Sequence, residues 1–386
     1  MKAKTITDKS VEAIRSALEQ EMANGYKPSL GVVFVPSGFD SSGIAKMLDE
    51  FDITVFGANT PDLFTDRGIT NDEGTVLLMD LDPEYFRLEI KPIPTGDYES
   101  AVNVAQNIAR LGSERFERPA FIVSVSQMDV PGEAIAEGFL SGAGEDVTLM
   151  GGISGGKPFW ANHIVFNNHE QYQHGIICLI IDQDHVEVNG LAVSGWKPAG
   201  TLKTVTESEG NWVYTIDDEP ALDVLLRFTG ADVDLDDNDD LLRQIGNPHP
   251  LQVTPKEGNP VMKPPIQVKP ETGAILCGGQ IPEGSKIRFS LPPDFDIVET
   301  VIESAQSVKD QKLPKADALL IFSCIGRQMT LGPLVDDEIN GLNDVWKVPM
   351  AGYFSLGEFG SVEGGTATFH GTTCSWVTLT EKQPTK

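Results

Sequence analysis

The feature that most constrains the fold is an order of segments that returns three times. Residues 8–24 place Val11, Ile14, Leu18 and Met22 at helical spacing, and the β-branched run "LGVVFVP" follows. A second helix, "SSGIAKMLDEF", is expected to be capped by its serine, and the strands "ITVFG" and "GTVLLMDL" come after it. The order repeats in "AVNVAQNIARLG", "AFIVSVS", "GEAIAEGFLSG" and "VTLMGG", followed by the strands "NHIVFNN" and "GIICLII". It repeats again in "IVETVIESAQSVK", "ALLIFSC", "LVDDEINGLN" and "VPMAGYF", followed by "GGTATFH" and "TTCSWVTL". The pattern predicts an α/β fold of mixed sheets with flanking helices. It would be built from three related α-β-α-β-β(β) units near residues 8–80, 98–181 and 295–380. The second strands align as "VFGANTPDLF", "LMGGISGGKPF" and "PMAGYFSLGEF". In each, a glycine (Gly57, Gly151, Gly352) precedes a hydroxyl by three residues (Thr60, Ser154, Ser355).

Between the second and third units, "VEVNGLAVSGW", "GTLKTVTES" and "NWVYTID" alternate in polarity, the mark of antiparallel strands. An aspartate-rich run and "NPHPLQVTPKEGNPVMKPPIQVKPETG" follow, read as a boundary. The expected division is a domain over 1–229, an acidic and proline-rich linker over 230–272, and a second domain over 273–386. The aspartate run is no calcium loop: counted from Asp232, Asp237 stands where glycine is needed and Arg243 where glutamate is needed.

The net charge of −28 repels phosphate backbones and argues against nucleic-acid binding. No apolar run is long enough for a membrane helix, and the N-terminus has no signal-like apolar core. Four dispersed cysteines without C-x-x-C point to neither a disulfide framework nor a zinc knuckle, and a cytoplasmic location is expected.

Ser154 lies in "GISGG", which satisfies G-x-S-x-G, but no helix follows, so a ligand-contacting turn is expected rather than a nucleophile. Walker and dinucleotide motifs are absent. His163, His169, His174 and His185 lack metalloprotease spacing; His249 sits between prolines and His370 closes a strand, so these two are the metal-ligand candidates. Cys324 ends an apolar strand three residues before Arg327. A thiolate nucleophile is conceivable there, but it would need a positioned base, and an inert wall cysteine is the alternative. Arg327 can take a carboxylate by two parallel hydrogen bonds, and Glu358 lies in the next strand-end loop. Together they would grip the two charged ends of an amino acid, or simply pair with each other.

The stretches "LAVSGWKPAGTLKTVTESEGNWVYTIDDEPALDVL", "GGQIPEGSKIRFSL", "ALLIFSCIGRQMTLG", "VPMAGYFSLGEFG" and "TATFHGTTCSWVTL" resemble the FIST family (F-box and intracellular signal transduction proteins), FIST N followed by FIST C. The C-x-G-R, G-E and strand-end histidine carry the likeness in the C-terminal part. One departure is the absence of the aspartate that often follows the glycine pair of the second unit; here Ser154, Gly155, Gly156 and Lys157 stand.

The resemblance implies a sensory module that binds a small ligand and signals to a separate protein such as a histidine kinase. It also brings in the haem-binding, nitric-oxide-sensing NosP group, for which His370 or His249 would be the axial ligand. Ligand contacts are then expected from Cys324, Arg327, Ser355, Glu358, His370 and Ser154. The competing readings are an amino-acid sensor using Arg327 and Glu358, a thiol enzyme using Cys324, and an interaction scaffold without a ligand.

Overall fold

The computed structural model describes all residues except 95–96, 127–130, 156–162, 236, 256–258, 295, 312–313 and 384–386. The first unit runs β1 (Ala3–Asp8), α1 (Val11–Ala23), β2 (Leu30–Pro36), α2 (Ser41–Asp49), β3 (Thr54–Thr60), β4 (Leu63–Thr65), β5 (Gly68–Thr70) and β6 (Gly74–Met79). The second repeats it as β7 (Phe86–Pro92), α3 (Tyr98–Arg115), β8 (Pro119–Val125), α4 (Gly132–Ala143), β9 (Thr148–Ile153), β10 (Val165–Phe166), β11 (Gln171–Tyr172) and β12 (Gly175–Asp182).

The third unit is interrupted. Its outer strand β13 (Val186–Val193) is followed by β14 (Pro198–Glu209), β15 (Trp212–Ile216), β16 (Glu219–Pro220), α5 (Ala221–Thr229) and the single turn α6 (Asn238–Leu241). Then come β17 (Leu251–Thr254), β18 (Val261–Lys263), β19 (Pro265–Lys269), β20 (Ala274–Cys277) and β21 (Lys286–Ser290). The unit resumes with α7 (Asp296–Gln311), β22 (Ala318–Cys324), α8 (Ile325–Leu331) and α9 (Leu334–Trp346). It ends with β23 (Met350–Ser355), β24 (Glu358–Ser361), β25 (Ala367–His370) and β26 (Cys374–Glu381).

The three expected units are present, and their sheets share one plan. The orders are β1-β6-β2-β3-β10-β11, β7-β12-β8-β9-β24-β25 and β13-β26-β22-β23-β4-β5. In each, one parallel pair (β2–β3, β8–β9, β22–β23) is flanked by antiparallel strands. The hairpin that completes each sheet comes from another unit. The first unit's β4–β5 joins the third sheet, the second's β10–β11 joins the first, and the third's β24–β25 joins the second. The three aligned glycines mark these joins: Gly57 pairs with Phe166, Gly151 with Phe359 and Gly352 with Phe64. A Cβ on Gly57 would fall 2.4 Å from the Phe166 ring, so the bare backbone is what lets the ring lie across the strand.

Strands β2 and β22 are buried at every position because both sheet faces are covered. Inward, the three sheets share one core containing Val32, Phe56, Ile122, Met150, Leu320 and Tyr353. Tyr353 crosses from the third sheet to the second, donating to Gly152 O at 2.9 Å. Outward, each sheet carries its own helices, with α1 and α2 on the first, α3 and α4 on the second, and α7 and α9 on the third.

The insertion forms an antiparallel sheet of order β18-β17-β21-β14-β15-β20-β19, with β16 on β15. Its two end strands are joined through Pro264 alone, so the sheet curls into a half-barrel. Leu222 and Leu225 of α5 fill it against Val205, Val213, Ile287 and Phe289. Three expectations are corrected. The stretch 230–272, expected as a linker, holds α6 and β17–β19 inside this half-barrel. Strand β13, expected with the antiparallel segment, pairs with β26 as the outer strand of the third sheet. Asp40, not a serine, caps α2 by accepting from Gly43 N at 2.8 Å.

Candidate functional site

Cys324 ends β22 and helix α8 starts at once, so the C-x-G-R motif turns a strand directly into a helix. Arg327, expected to face a ligand, is turned inward and fully buried. Its Nε donates to Glu338 Oε1 at 3.1 Å and its Nη2 to Glu338 Oε2, while Nη1 donates to Ser194 O at 2.5 Å and Thr372 O at 3.3 Å. The guanidinium also lies over the Trp196 ring, 5.1 Å from its centroid. Burial works to lower the arginine's pKa, but Glu338 outweighs it and holds the group above its ordinary value. Four of its five N–H groups go to joining α8, α9 and the two loops at Ser194 and Thr372. Removing one charge would strand the other in the interior, at about 3–5 kcal/mol. Arg327 is a tie, and the amino-acid grip with Glu358 is not formed.

Glu358 is fully buried at the start of β24. Its Oε2 accepts from Thr373 N (3.2 Å) and Oγ1 (2.9 Å), and the Cys324 thiol also reaches the carboxyl. Ser355 Oγ lies 2.6 Å from Glu358 Oε1 and 3.1 Å from Ser323 O. The hydroxyl has one proton and Ser323 O can only accept, so both contacts form when Glu358 is protonated and donates to Ser355. Burial agrees, pushing the Glu358 carboxyl up to about 8. Cys324 is pushed up as well, by burial first and by Glu358 second, which removes the thiolate that a nucleophile would need.

Each candidate histidine has one ring nitrogen engaged with a backbone carbonyl. His370 is fully buried, its Nε2 lies 3.1 Å from Gly360 O, and burial lowers its pKa to about 3. Its Nδ1 has no hydrogen-bond partner among the described residues, and the ring is enclosed. His249 Nδ1 is engaged with Ser290 O at 2.9 Å, and Phe228 packs edge-on against the ring. Among the described residues, no three of His, Cys, Asp or Glu converge on a metal position. Ser154 is fully buried, with Oγ 3.3 Å from Val125 O, so it is a turn residue and not a surface contact. Gly156 and Lys157, in the departure from the family pattern, lie outside the described residues.

The structure does bring Cys324 to a cavity. It has a volume of about 190 Å³ and lies where the second unit, the third unit and the half-barrel meet. Helices α4 and α8 both begin on it, neither with a side-chain cap. Ile153, Leu356, Phe369 and Met329 give it apolar walls, Ile266 closes it from the half-barrel, and Asn247 and Glu133 add polar groups. Backbones approach closely around it: a Cβ on Gly326 would meet Asn247 Oδ1 at 2.7 Å, and one on Gly132 the Phe369 ring at 2.2 Å. Beside the cavity, buried Lys263 of β18 donates to Glu133 of α4 and, at 2.8 Å, to Phe369 O of β25. Gln280 N donates to the same Glu133 oxygen at 2.9 Å. Three separate parts of the chain are thereby latched together.

Sequence reading missed Glu133, Lys263, Asn247 and Phe369. A glutamate in a helix's first turn reads as a complement to the helix dipole, and a lysine in a proline-rich run reads as exposed linker. Arg327, Glu358, Ser355 and His370 lie behind the walls, and Cys324 alone of the expected contacts lines the cavity.

Three hairpin-exchanging units thus carry a half-barrel, with a partly open cavity at their junction. Residues 29–219 match the FIST N domain and residues 221–361 the FIST C domain, so the chain belongs to the FIST family, whose domains sense small ligands in signalling proteins. It is also similar to the Mycobacterium tuberculosis protein Rv0628c, 23% identical over 237 residues, which is 59% of this chain and 60% of that protein. Mycobacterium bovis Mb0898c is 24% identical over 244 residues, 59% of each chain. The matches thus span about three-fifths of each relative, and both relatives are named as uncharacterized proteins. No helix among the described residues is long and apolar enough to cross a membrane.

Proposed function

We propose that this chain is a small-ligand sensor whose ligand occupies the cavity between α4, α8 and the half-barrel, and that it signals to a separate protein such as a histidine kinase. The observation that carries this reading is the cavity's place at a three-way junction. A ligand there touches the second unit, the third unit and the half-barrel at once, so its binding energy can favour one arrangement of the three over another. The volume of about 190 Å³ lies below the ~300–1,000 Å³ of drug-sized sites, so the ligand is small.

The test is a thermal-shift screen of small metabolites against the wild type and against Ile266→Trp, which fills the cavity from the half-barrel side. Ligands that raise the wild-type Tm and lose that effect in the filled variant are expected. Equal shifts in both proteins, or no shift with any compound, would refute the site.

Nitric-oxide sensing through haem rests on the family likeness alone, and the enclosed His370 does not favour it. Protein reconstituted with haem is expected to show no Soret band of its own. A band that disappears in His370→Ala would reverse that judgement.

A further inference from the structure

The cavity's chemistry constrains what can enter it. Of the described buried side-chain atoms that lack a hydrogen-bond partner, Glu133 Oε2 is the one whose residue lines this cavity. The other oxygen of that carboxylate is already taken by Lys263 and Gln280 N. The described lining contains a second carboxylate, Asp239, and the amides of Asn211 and Asn247, but no Lys, Arg or His. A buried acceptor left without a donor costs roughly 1–3 kcal/mol, and more when it is charged. That cost is relieved when a ligand supplies an N–H. The start of α4 contributes about half a positive charge to the same region, while the Lys263 ammonium is already engaged by the other oxygen of Glu133. Helix α8, at seven residues, adds little to that balance.

We infer that the cavity takes a small N–H donor, an amine or carboxamide on a branched apolar body without a carboxylate, and that Glu133 Oε2 receives its hydrogen bond. The inference rests on the cavity being the ligand site. Ile153, Leu356 and Phe369 enclose the apolar part, while Glu133 reads the donor. A volume of about 190 Å³, below that of drug-sized sites, suits a body of a few carbons. A carboxylate on the ligand would find no described cation in the lining to pair with. Because Glu133 is also half of the latch to Lys263 and the Phe369 carbonyl, a donor arriving at Oε2 bears directly on the contact that holds the half-barrel to the α4 helix.

The experiment uses four probes of one size: isobutyramide, isobutylamine, methyl isopropyl ketone and isobutyrate. Binding is read from the methyl resonance of ¹³C-labelled Met329, which lies in the cavity wall. The amide and the amine are expected to bind at least tenfold more tightly than the ketone, and isobutyrate not at all. In Glu133→Gln the oxygen stays with Gln280 N and the new NH2 faces inward. The amide and amine preference is then lost tenfold or more, and isobutyrate gains. Should Glu133→Gln not fold, the double variant Glu133→Gln/Lys263→Met removes both charges of the latch and is expected to show the same loss. Ketone or isobutyrate binding as tightly as the amide, or a preference unchanged in the variants, would overturn the donor inference while leaving the cavity as a binding site. Failure of all four probes to shift Met329 would overturn the site itself.

Discussion

Glu358 and His370 face each other across the β24–β25 pair, and burial pushes their proton affinities in opposite directions. Glu358 rises from 4.5 to about 8, so the folded chain holds a proton that the unfolded chain releases. Its contribution to stability is fully present below pH 4.5 and is lost as the pH climbs to about 8. His370 falls from 6.5 to about 3, so its contribution is present above pH 6.5 and lost as the pH drops toward 3. Together the two predict stability that rises from pH 3 to 4.5, stays level to 6.5 and falls to 8. Denaturant unfolding of wild type and Glu358→Gln across this range isolates the first group. The wild-type advantage should shrink between pH 4.5 and 8 by up to ~1.4 kcal/mol per unit. A pH-independent difference would show that Glu358 is not held protonated. Residue types at this scale were legible and their partners were not. "C-x-G-R" showed where a strand gives way to the next element. That Arg327 turns inward to Glu338 depends on α9 folding back over α8, which no local spacing encodes.

The central strands announced themselves as continuous apolar runs because both of their faces are covered. Outer strands such as β1, half-buried and polar, carried no such signal, and the three-residue hairpin strands β4 and β5 are too short to show a period. The glycines were legible as repeat markers but not as seats for an aromatic ring, since the ring comes from another unit. The Gly57–Phe166 join makes this testable. Gly57→Ala drives a methyl into the ring and should cost about 1–3 kcal/mol by overpacking, read as a lower denaturant midpoint. Adding Phe166→Leu should recover part of that loss, because the two changes share one contact. Strictly additive losses would mean that the ring and the glycine do not meet.

At the scale of the molecule, the FIST N and FIST C matches meet at residues 219 and 221, inside the half-barrel between β16 and α5. The boundary therefore separates α5 from strands β14 and β15 that it packs against. It also divides the third sheet, leaving β13 and the β4–β5 hairpin on one side and β22, β23 and β26 on the other. A fragment of residues 1–219 is thus expected to lack cooperative unfolding, whereas the full chain should unfold in one transition by circular dichroism. A fragment that melts sharply by itself would show that the exchanged hairpins contribute little. The three-unit plan could be read from the repeated segment order, but the exchange could not, because strand pairing between units leaves no trace in any one unit's pattern.

The exchanged hairpins also impose an order on biosynthesis. The β4–β5 hairpin is made nearly 300 residues before β23, the strand it must join, with Leu63 finally opposite Tyr353. A ribosome that has delivered the first two units has produced a hairpin with nowhere to go and a second sheet still waiting for β24. Contacts this distant in sequence slow folding and leave strand edges open meanwhile. The ring of exchanges that welds the folded units together can close only once β23 and β24 have been made, so the nascent protein passes through a long interval in which its own incomplete sheets are its most hazardous surfaces.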